Sequence, residues 1–201
     1  MTSLSHQQKA RISFAPELLL KAQNIKLLLL DVDGVLTDGG LFFAETAKDD
    51  SRIATETIKR FNTLDGHGLK MLMEVGITPA IISGRDSLPL RQRLKTLGIE
   101  HFYLGNESKL KCALELHQRL HFNWSQTATM GDDWPDLPLL CRSQLATAPK
   151  NAHIEVLERS DWISQFEGGH GAVRELCDLL LCANGAYQTI LKTYTQKDYS
   201  L

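Results

Sequence analysis

The sequence predicts an α/β fold in which a parallel sheet is covered by helices on both faces. Short apolar runs of strand length alternate along the chain with longer segments whose apolar residues recur at helical spacing. The runs are almost continuously apolar, which is typical of strands that are buried on both faces. The length of 201 residues suits one domain with a substantial core.

The predicted elements follow one another in a regular order. The strand candidates are residues 25–32, 77–82, 101–104, 127–130, 144–147 and 162–163. The helix candidates are residues 15–22, 68–75, 87–97, 108–120, 137–141, 152–158 and 171–182. Pro16 opens the first helix, since proline is tolerated in a first turn, and Gly98 ends the third. Parallel strands need crossover connections of this kind.

Residues 41–61 interrupt this alternation. Two β-rich runs, 41–44 and 53–58, flank the polar stretch 45–51. This pattern predicts a β-hairpin that is inserted after the first strand.

The chain is accordingly divided into three parts. Residues 1–24 form an N-terminal extension, residues 25–186 form the domain, and residues 187–201 form a polar tail with three tyrosines.

Composition excludes some classes of function. There are 22 Lys and Arg against 24 Asp and Glu, so the net charge of −2 provides no general basic field for nucleic acid or anionic membranes. Neither a secretory signal nor a membrane span is predicted. The four cysteines show no metal-binding or disulfide spacing, which indicates buried thiols in a reducing compartment and hence a cytoplasmic location.

The first chemical motif is Asp31-Val32-Asp33-Gly34, directly after the first apolar strand. Two carboxylates at positions i and i+2 can turn toward one crevice as the strand ends, and Gly34 permits a sharp turn. They suit a nucleophile and a general acid/base that share a hard cation. The alternative is a polar turn in which aspartates cap backbone amides.

The second motif, Ser83-Gly84-Arg85, ends the strand at 77–82. A hydroxyl and a free amide can hold a phosphoryl oxygen, and Arg85 can bind a phosphate or carboxylate. Taken alone, it equally describes an ordinary turn.

The third motif is Lys109, at the start of the helix predicted over residues 108–120. It can point into the crevice and neutralise Asp31 and a phosphate. By itself it reads more readily as a solvated surface lysine.

The fourth motif places three carboxylates within five residues after the strand at 127–130. These are Asp132, Asp133 and Asp136. Either Asp132 or Asp133 would complete a magnesium site, and Asp136 would support it. The alternative is a cluster that caps the following helix.

Together, the order Asp-x-Asp, Ser, Lys and Gly-Asp-Asp-x-x-Asp on successive strands resembles the haloacid dehalogenase (HAD) superfamily. Segments at 33–39, 61–66, 131–136 and 168–175 further resemble the 3-deoxy-D-manno-octulosonate 8-phosphate (KDO 8-phosphate) phosphatases of lipopolysaccharide biosynthesis. This resemblance implies a Rossmann-like sheet without a cap domain. It also implies a cytoplasmic homotetramer whose hairpins meet centrally and whose neighbouring subunits help to close each site.

The resemblance also implies a mechanism. Mg²⁺ is held by Asp31, the backbone carbonyl of Asp33, and Asp132. Asp31 is the nucleophile and Asp33 the acid/base, while Ser83, the Gly84 amide and Lys109 bind the phosphoryl group. The positions that correspond to sugar contacts are Asn62, Thr63, Leu64, Asp65, Gly66, Arg85 and Arg93, and Asp33, Gly84 and Lys109 also contact substrate.

Two residues depart from the family pattern. Many members have arginine where this chain has Leu64 and His170, so two guanidinium groups are absent.

The catalytic residues would equally serve a phosphatase for a sialic-acid-type sugar 9-phosphate. Outside phosphatases, a receiver-like phospho-accepting domain or a catalytically silent interaction subunit remains an alternative.

Overall fold

A computed structural model describes residues 12–43 and 56–195. Its centre is a six-stranded, entirely parallel sheet in the order β5-β4-β1-β6-β7-β8. The strands are β1 (Leu27–Leu30), β4 (Thr78–Ser83), β5 (His101–Leu104), β6 (Thr127–Met130), β7 (Leu145–Ala148) and β8 (Trp162–Ile163). The chain builds one half from β1 outward through β4 and β5, then crosses to β6 and builds the other half. The carboxyl ends of β1 and β6 therefore flank a topological switch point, where α/β sheets bind ligands.

Helices cover both faces of this sheet, as the sequence predicts. They are α1 (Pro16–Ala22), α2 (Thr63–Glu74), α3 (Leu88–Leu97), α4 (Lys109–Leu120), α5 (Leu137–Leu140), α6 (Ile154–Leu157), α7 (Ala172–Ala183) and α8 (Tyr187–Thr195). Successive side chains of β1 alternate between faces: Leu28 and Leu30 pack with α1, α2, α3 and α7, whereas Leu27 and Leu29 pack with α4 and α5. The predicted fold class is confirmed.

The predicted hairpin is present where the structure describes it. Strands β2 (Phe42–Phe43) and β3 (Glu56–Ile58) form an antiparallel pair between β1 and α2. The remaining predicted hairpin residues, 44–55, lie outside the described part of the chain.

Two elements differ from the sequence-based expectation. Helix α2 begins at Thr63, five residues before the predicted start, because Asn62 caps it by accepting a hydrogen bond from the Leu64 amide at 2.8 Å. In the polar tail, Tyr187–Thr195 forms α8, a helix that the sequence analysis did not predict, and Tyr187 and Ile190 pack against the core. Among the described residues, none of the helices combines the length and apolar character that a membrane span requires.

Candidate active site

Three carboxylates converge at the carboxyl ends of β1 and β6. Asp31 follows β1, and Asp132 and Asp136 lie in the segment that follows β6. One oxygen of each lies within 4.8 Å of the others, a spacing that allows one cation to contact all three. Asp133 is exposed and lies outside this cluster, so the geometry selects Asp132 from the two residues that the sequence left open.

Lys109 connects two of these carboxylates. It begins α4, and its Nζ lies 2.8 Å from Asp31 Oδ1 and 2.7 Å from Asp136 Oδ1. The lysine is only 6% exposed, which excludes the solvated surface lysine that the sequence allowed. A buried ammonium between two carboxylates is a paired charge, as burial requires.

Crowding and burial raise the pKa values of the clustered carboxyls. Burial and the charge of Asp136 raise the pKa of Asp31 to about 6 against the opposing effect of Lys109. Burial and the charge of Asp31 raise the pKa of Asp132 to about 8. Burial tends to lower the pKa of Lys109, but Asp136 and Asp31 outweigh it and raise that pKa. The cluster holds more negative charge than Lys109 offsets, so its donor set fits a hard divalent cation.

Local backbone features bring Asp132 and Asp136 into this cluster. Gly34 has a φ of +89°, and a Cβ there would lie 2.0 Å from Asp132 Oδ2. A side chain at residue 34 would thus displace the carboxylate. Asp136 Oδ2 accepts a hydrogen bond from the Asp132 amide at 3.2 Å, and Asp136 also takes part in a capping box with Asp133.

Asp33 lies beside two basic residues. Its Oδ1 accepts a hydrogen bond from Lys59 Nζ, and its Oδ2 lies 3.9 Å from Arg85 Nε. The Lys59 side chain is 1% exposed, whereas that of Arg85 is 52% exposed. Lys59, which directly follows β3, is a residue that the sequence reasoning missed. The sequence offered one clue to this role, namely that Lys59 lies where the inserted hairpin returns to the domain.

Ser83 and Gly84 occupy the end of β4, next to β1 in the sheet. Ser83 is buried, and its Oγ accepts a hydrogen bond from the Arg85 amide at 3.1 Å. A Cβ at Gly84 would meet no atom within 4 Å, so the space beside this backbone is open. The turn therefore keeps room for a ligand beside a buried hydroxyl.

The predicted sugar contacts divide into an exposed and an enclosed group. Thr63 and Leu64 are exposed. Asp65 is 1% exposed, and a Cβ at Gly66 would lie 2.3 Å from Arg93 Nη2. That same guanidinium nitrogen donates to the Asn62 carbonyl at 2.9 Å. The structure therefore brings Asn62, Gly66 and Arg93 together, but it places Asp65 inside the protein, away from the surface.

His170, at one of the departures from the family pattern, contacts Arg60. Arg60 Nη2 lies within hydrogen-bonding distance of the His170 ring and 3.4 Å from the Gly169 carbonyl. Arg60 Nε lies 3.5 Å from Asp38 Oδ2, and the Arg60 side chain is about half exposed. A guanidinium therefore stands beside residue 170 although residue 170 is itself histidine.

Comparison with known proteins identifies close relatives. No family model matches the chain. A KDO 8-phosphate phosphatase of Salmonella typhimurium is 39% identical over 171 residues, which cover 85% of this chain and 87% of that protein. The Moraxella catarrhalis KDO 8-phosphate phosphatase, in complex with magnesium, phosphate and KDO, matches with a TM-score of 0.81 and 38% identity over 89% of this chain and 98% of that one.

A third relative bears on the metal. The cobalt-bound deoxy-D-mannose-octulosonate 8-phosphate phosphatase of Haemophilus influenzae matches with a TM-score of 0.78 and 38% identity, covering 89% of this chain and 99% of that one. Two relatives thus carry a divalent cation, and three carboxylates of this chain lie close enough together to contact one. The prediction of a magnesium cofactor is confirmed.

Proposed function

Because the chain belongs to the KDO 8-phosphate phosphatase family of HAD hydrolases, we propose that it hydrolyses KDO 8-phosphate to KDO and phosphate. One observation carries the proposal: Asp31 lies in a cluster of three carboxylates spaced for one cation, paired with Lys109, at the switch point of the sheet. An anionic nucleophile and an anionic phosphate monoester repel each other, and a cation with a buried lysine offsets that repulsion.

Asp31, Asp132 and the backbone carbonyl of Asp33 would hold the magnesium ion. When bound, Mg²⁺ supplies positive charge that neutralises the phosphoryl oxygens and the carboxylates around them. Asp136 keeps Asp132 in place through the hydrogen bond from the Asp132 amide. Lys109 remains between Asp31 and Asp136, which fixes the direction in which Asp31 presents its oxygen.

In the first half of the reaction, Asp31 attacks phosphorus in line. The bond from phosphorus to the sugar oxygen breaks as an aspartyl-phosphate forms on Asp31. Asp33 donates a proton to the departing oxygen, acting as the general acid. Ser83 and the Gly84 amide stabilise the equatorial phosphoryl oxygens, which the open space beside Gly84 supports.

In the second half, Asp33 accepts a proton from a water molecule that attacks the aspartyl-phosphate. The bond from phosphorus to Asp31 breaks, phosphate leaves, and the Asp31 carboxylate is restored. Asp33 must therefore keep one orientation through both proton transfers. Its contact with the buried Lys59 supports this role, and Arg85 lies on its other side.

The sugar acid would be bound at the mouth of the crevice. Arg85 is half exposed beside Asp33 and suits a carboxylate, since a guanidinium binds carboxylates in a fork. Asn62, Thr63, Leu64, Gly66 and Arg93 complete the proposed set of contacts. KDO release for lipopolysaccharide biosynthesis would be the physiological setting, and the rival substrate is a sialic-acid-type sugar 9-phosphate.

We also propose that the protein is a cytoplasmic homotetramer whose subunits contact one another through their β-hairpins. Phe42 and Ile58 are cross-strand partners in the hairpin and are 52% and 59% exposed. A contiguous exposed apolar surface is typical of interaction sites, and this pair would contribute to one. The four cysteines are free, as a reducing compartment implies. Sedimentation velocity would report a tetramer, and Ile58→Glu should shift it toward smaller species.

Steady-state assays of the purified protein would test the function. KDO 8-phosphate, a sialic-acid-type 9-phosphate and p-nitrophenyl phosphate would be compared by kcat/KM with Mg²⁺ present. We expect KDO 8-phosphate to give the highest value. A higher value for the 9-phosphate would transfer the proposal to that substrate, and no phosphate release from any of the three would refute it.

A further inference from the structure

The loop at residues 168–171, here the glycine loop, lies directly on the loop that carries Asp31 and Asp33. A Cβ at Gly168 would lie 1.8 Å from the Gly34 carbonyl oxygen, and a Cβ at Gly169 would lie 2.7 Å from the Asp38 amide nitrogen. The Gly169 amide donates to the Val35 carbonyl at 2.9 Å. The backbone that aims the two catalytic carboxylates therefore rests against the glycine loop.

The glycine loop continues into α7, and this helix has no cap of its own. The N-cap position is Gly171, with a φ of +109° and no side chain to accept a hydrogen bond. The first amides of a helix have no partner within the helix and need acceptors from elsewhere. If they lacked one, the first turn of α7 and the loop before it would be poorly fixed.

Asp65, from the neighbouring helix α2, provides the missing acceptor. Its Oδ1 accepts a hydrogen bond from the Arg174 amide, the third residue of α7, at 2.8 Å. A carboxylate at this point also meets the positive end of the helix dipole. The cap is thus supplied across the α2–α7 interface and not by the residue that precedes the helix.

The burial of Asp65 shows that this position is costly. The residue is 1% exposed, and its Oδ2 has no hydrogen-bond partner. An unpartnered buried carboxylate oxygen costs free energy. The acceptor for the Arg174 amide is thus supplied from a buried position that itself costs free energy. Asn62 adds a second contact from α2, since its Nδ2 lies 3.4 Å from the Gly169 carbonyl.

We propose that Asp65 is a positioning residue for the phosphatase reaction, because it anchors α7 and thereby presses the glycine loop against the catalytic loop. This inference rests on the proposed function. It replaces the expectation that Asp65 binds a sugar hydroxyl, which its burial beneath the glycine loop opposes. Asp65 acts through the backbone of residues 34–38 and does not touch substrate.

Three variants separate this role from simple destabilisation. Asp65→Ala removes the cap, whereas Asp65→Asn keeps an oxygen that can accept from Arg174. Asp178→Ala is the matched control, since Asp178 is a buried carboxylate that pairs with Arg174 Nε at 2.9 Å and lies on α7 seven residues after Gly171. Each variant would be assayed with KDO 8-phosphate and with p-nitrophenyl phosphate.

We expect Asp65→Ala to lower kcat at least about tenfold for both substrates with KM changed less than about twofold, since small displacements of reacting groups are expensive. Asp65→Asn should recover most of that loss, and Asp178→Ala should keep wild-type kcat. The inference fails if Asp65→Ala and Asp178→Ala are equally active, if Asp65→Asn is as impaired as Asp65→Ala, or if Asp65→Ala raises KM for the sugar phosphate alone.

A readout that is independent of turnover keeps the two proposals distinguishable. Amide hydrogen exchange at Gly169 should accelerate in Asp65→Ala and remain at the wild-type rate in Asp178→Ala, even if no substrate is turned over. Unchanged exchange in both would overturn the inference and leave the phosphatase assay unaffected. If Asp65→Ala does not fold, Gly169→Ala lifts the same loop with the cap intact. Gly169→Ala should then lower kcat by the same factor that is expected for Asp65→Ala. A wild-type kcat in Gly169→Ala would overturn the inference.

Discussion

The crevice between β1 and β6 and the interface between α2 and α7 both bury carboxylates, but they handle the charge in opposite ways. In the crevice, Asp31, Asp132 and Asp136 crowd one another, and Lys109 offsets only part of their charge. At the interface, Asp65 lies against the amides of α7, with Arg93 and Arg174 nearby. The crevice is therefore arranged for an incoming cation, whereas at the interface the groups that face the carboxylate all belong to the protein.

The first prediction tests whether Asp31 acts as a nucleophile and not only as part of a charged cluster. Asp31→Asn keeps the size of the side chain but removes the attacking oxyanion. We expect kcat to fall at least about 10³-fold, with circular dichroism unchanged. Phosphate release in a stopped assay measures it. Activity above a few per cent of wild type would rule out a covalent aspartyl-phosphate.

The second prediction tests whether the crevice is completed by a cation. EDTA should abolish turnover, and Mg²⁺ should restore it. Saturating Mg²⁺ should also raise the Tm by about 5–10 °C, since a ligand at 100 times its Kd contributes about 2.7 kcal/mol.

The control for this prediction is Asp132→Asn. It removes one of the mutually repelling carboxylates, so we expect a higher Tm without metal and a much smaller response to Mg²⁺. Calorimetry with and without Mg²⁺ decides the matter. A wild-type response in Asp132→Asn would exclude that carboxylate from the metal site.

The third prediction concerns the exposed rim of the crevice. Arg85→Ala should raise KM for KDO 8-phosphate about tenfold, the effect of losing roughly one charged hydrogen bond. The KM for p-nitrophenyl phosphate should change less, because that substrate carries no carboxylate. Parallel titrations of both substrates provide the comparison. Equal changes would mean that Arg85 contacts the phosphate and not the sugar acid.

The sequence was sufficient for the crevice because its residues follow strand ends. Asp31, Ser83 and Asp132 each come after a short apolar run, and parallel strands carry such residues to one edge of the sheet. Lys59 was missed because its burial against Asp33 depends on how the hairpin returns to the domain. No local pattern distinguishes a lysine that becomes buried from one that remains solvated.

The α2–α7 interface was the less predictable region. The apolar spacing of Leu69, Leu72 and Met73 predicted a start at residue 68, and the low helix propensity of Gly66 and Gly68 gave no signal for an earlier one. The structure shows why glycine is tolerated there: a Cβ at Gly66 would meet Arg93 at 2.3 Å, and one at Gly68 would meet Cys177 at 3.0 Å. Close packing between helices overrides propensity here. The packing of α2 against α7 also buries Asp65, which the resemblance to the family grouped with the substrate-binding residues.

The fourth prediction measures the charge at this interface. Burial raises the pKa of Asp65 from 3.8 to about 6, against the opposing effects of the Arg174 and Gly171 amides. A carboxyl with a raised folded-state pKa binds its proton more tightly when folded. Protonation of Asp65 therefore stabilises the folded state fully below about pH 4. This stabilisation is lost as the pH rises through about 6.

Asp65→Asn cannot titrate, so it should lack this loss. Relative to wild type, its free energy of unfolding should increase by about 1–1.5 kcal/mol between pH 5 and pH 7.5, the change expected from that shift in pKa. Urea unfolding with Mg²⁺ present at both pH values measures it, because Mg²⁺ suppresses titration in the crevice. A difference that does not vary with pH would show that Asp65 is charged equally readily in both states. The α2–α7 interface would then accommodate its carboxylate without cost.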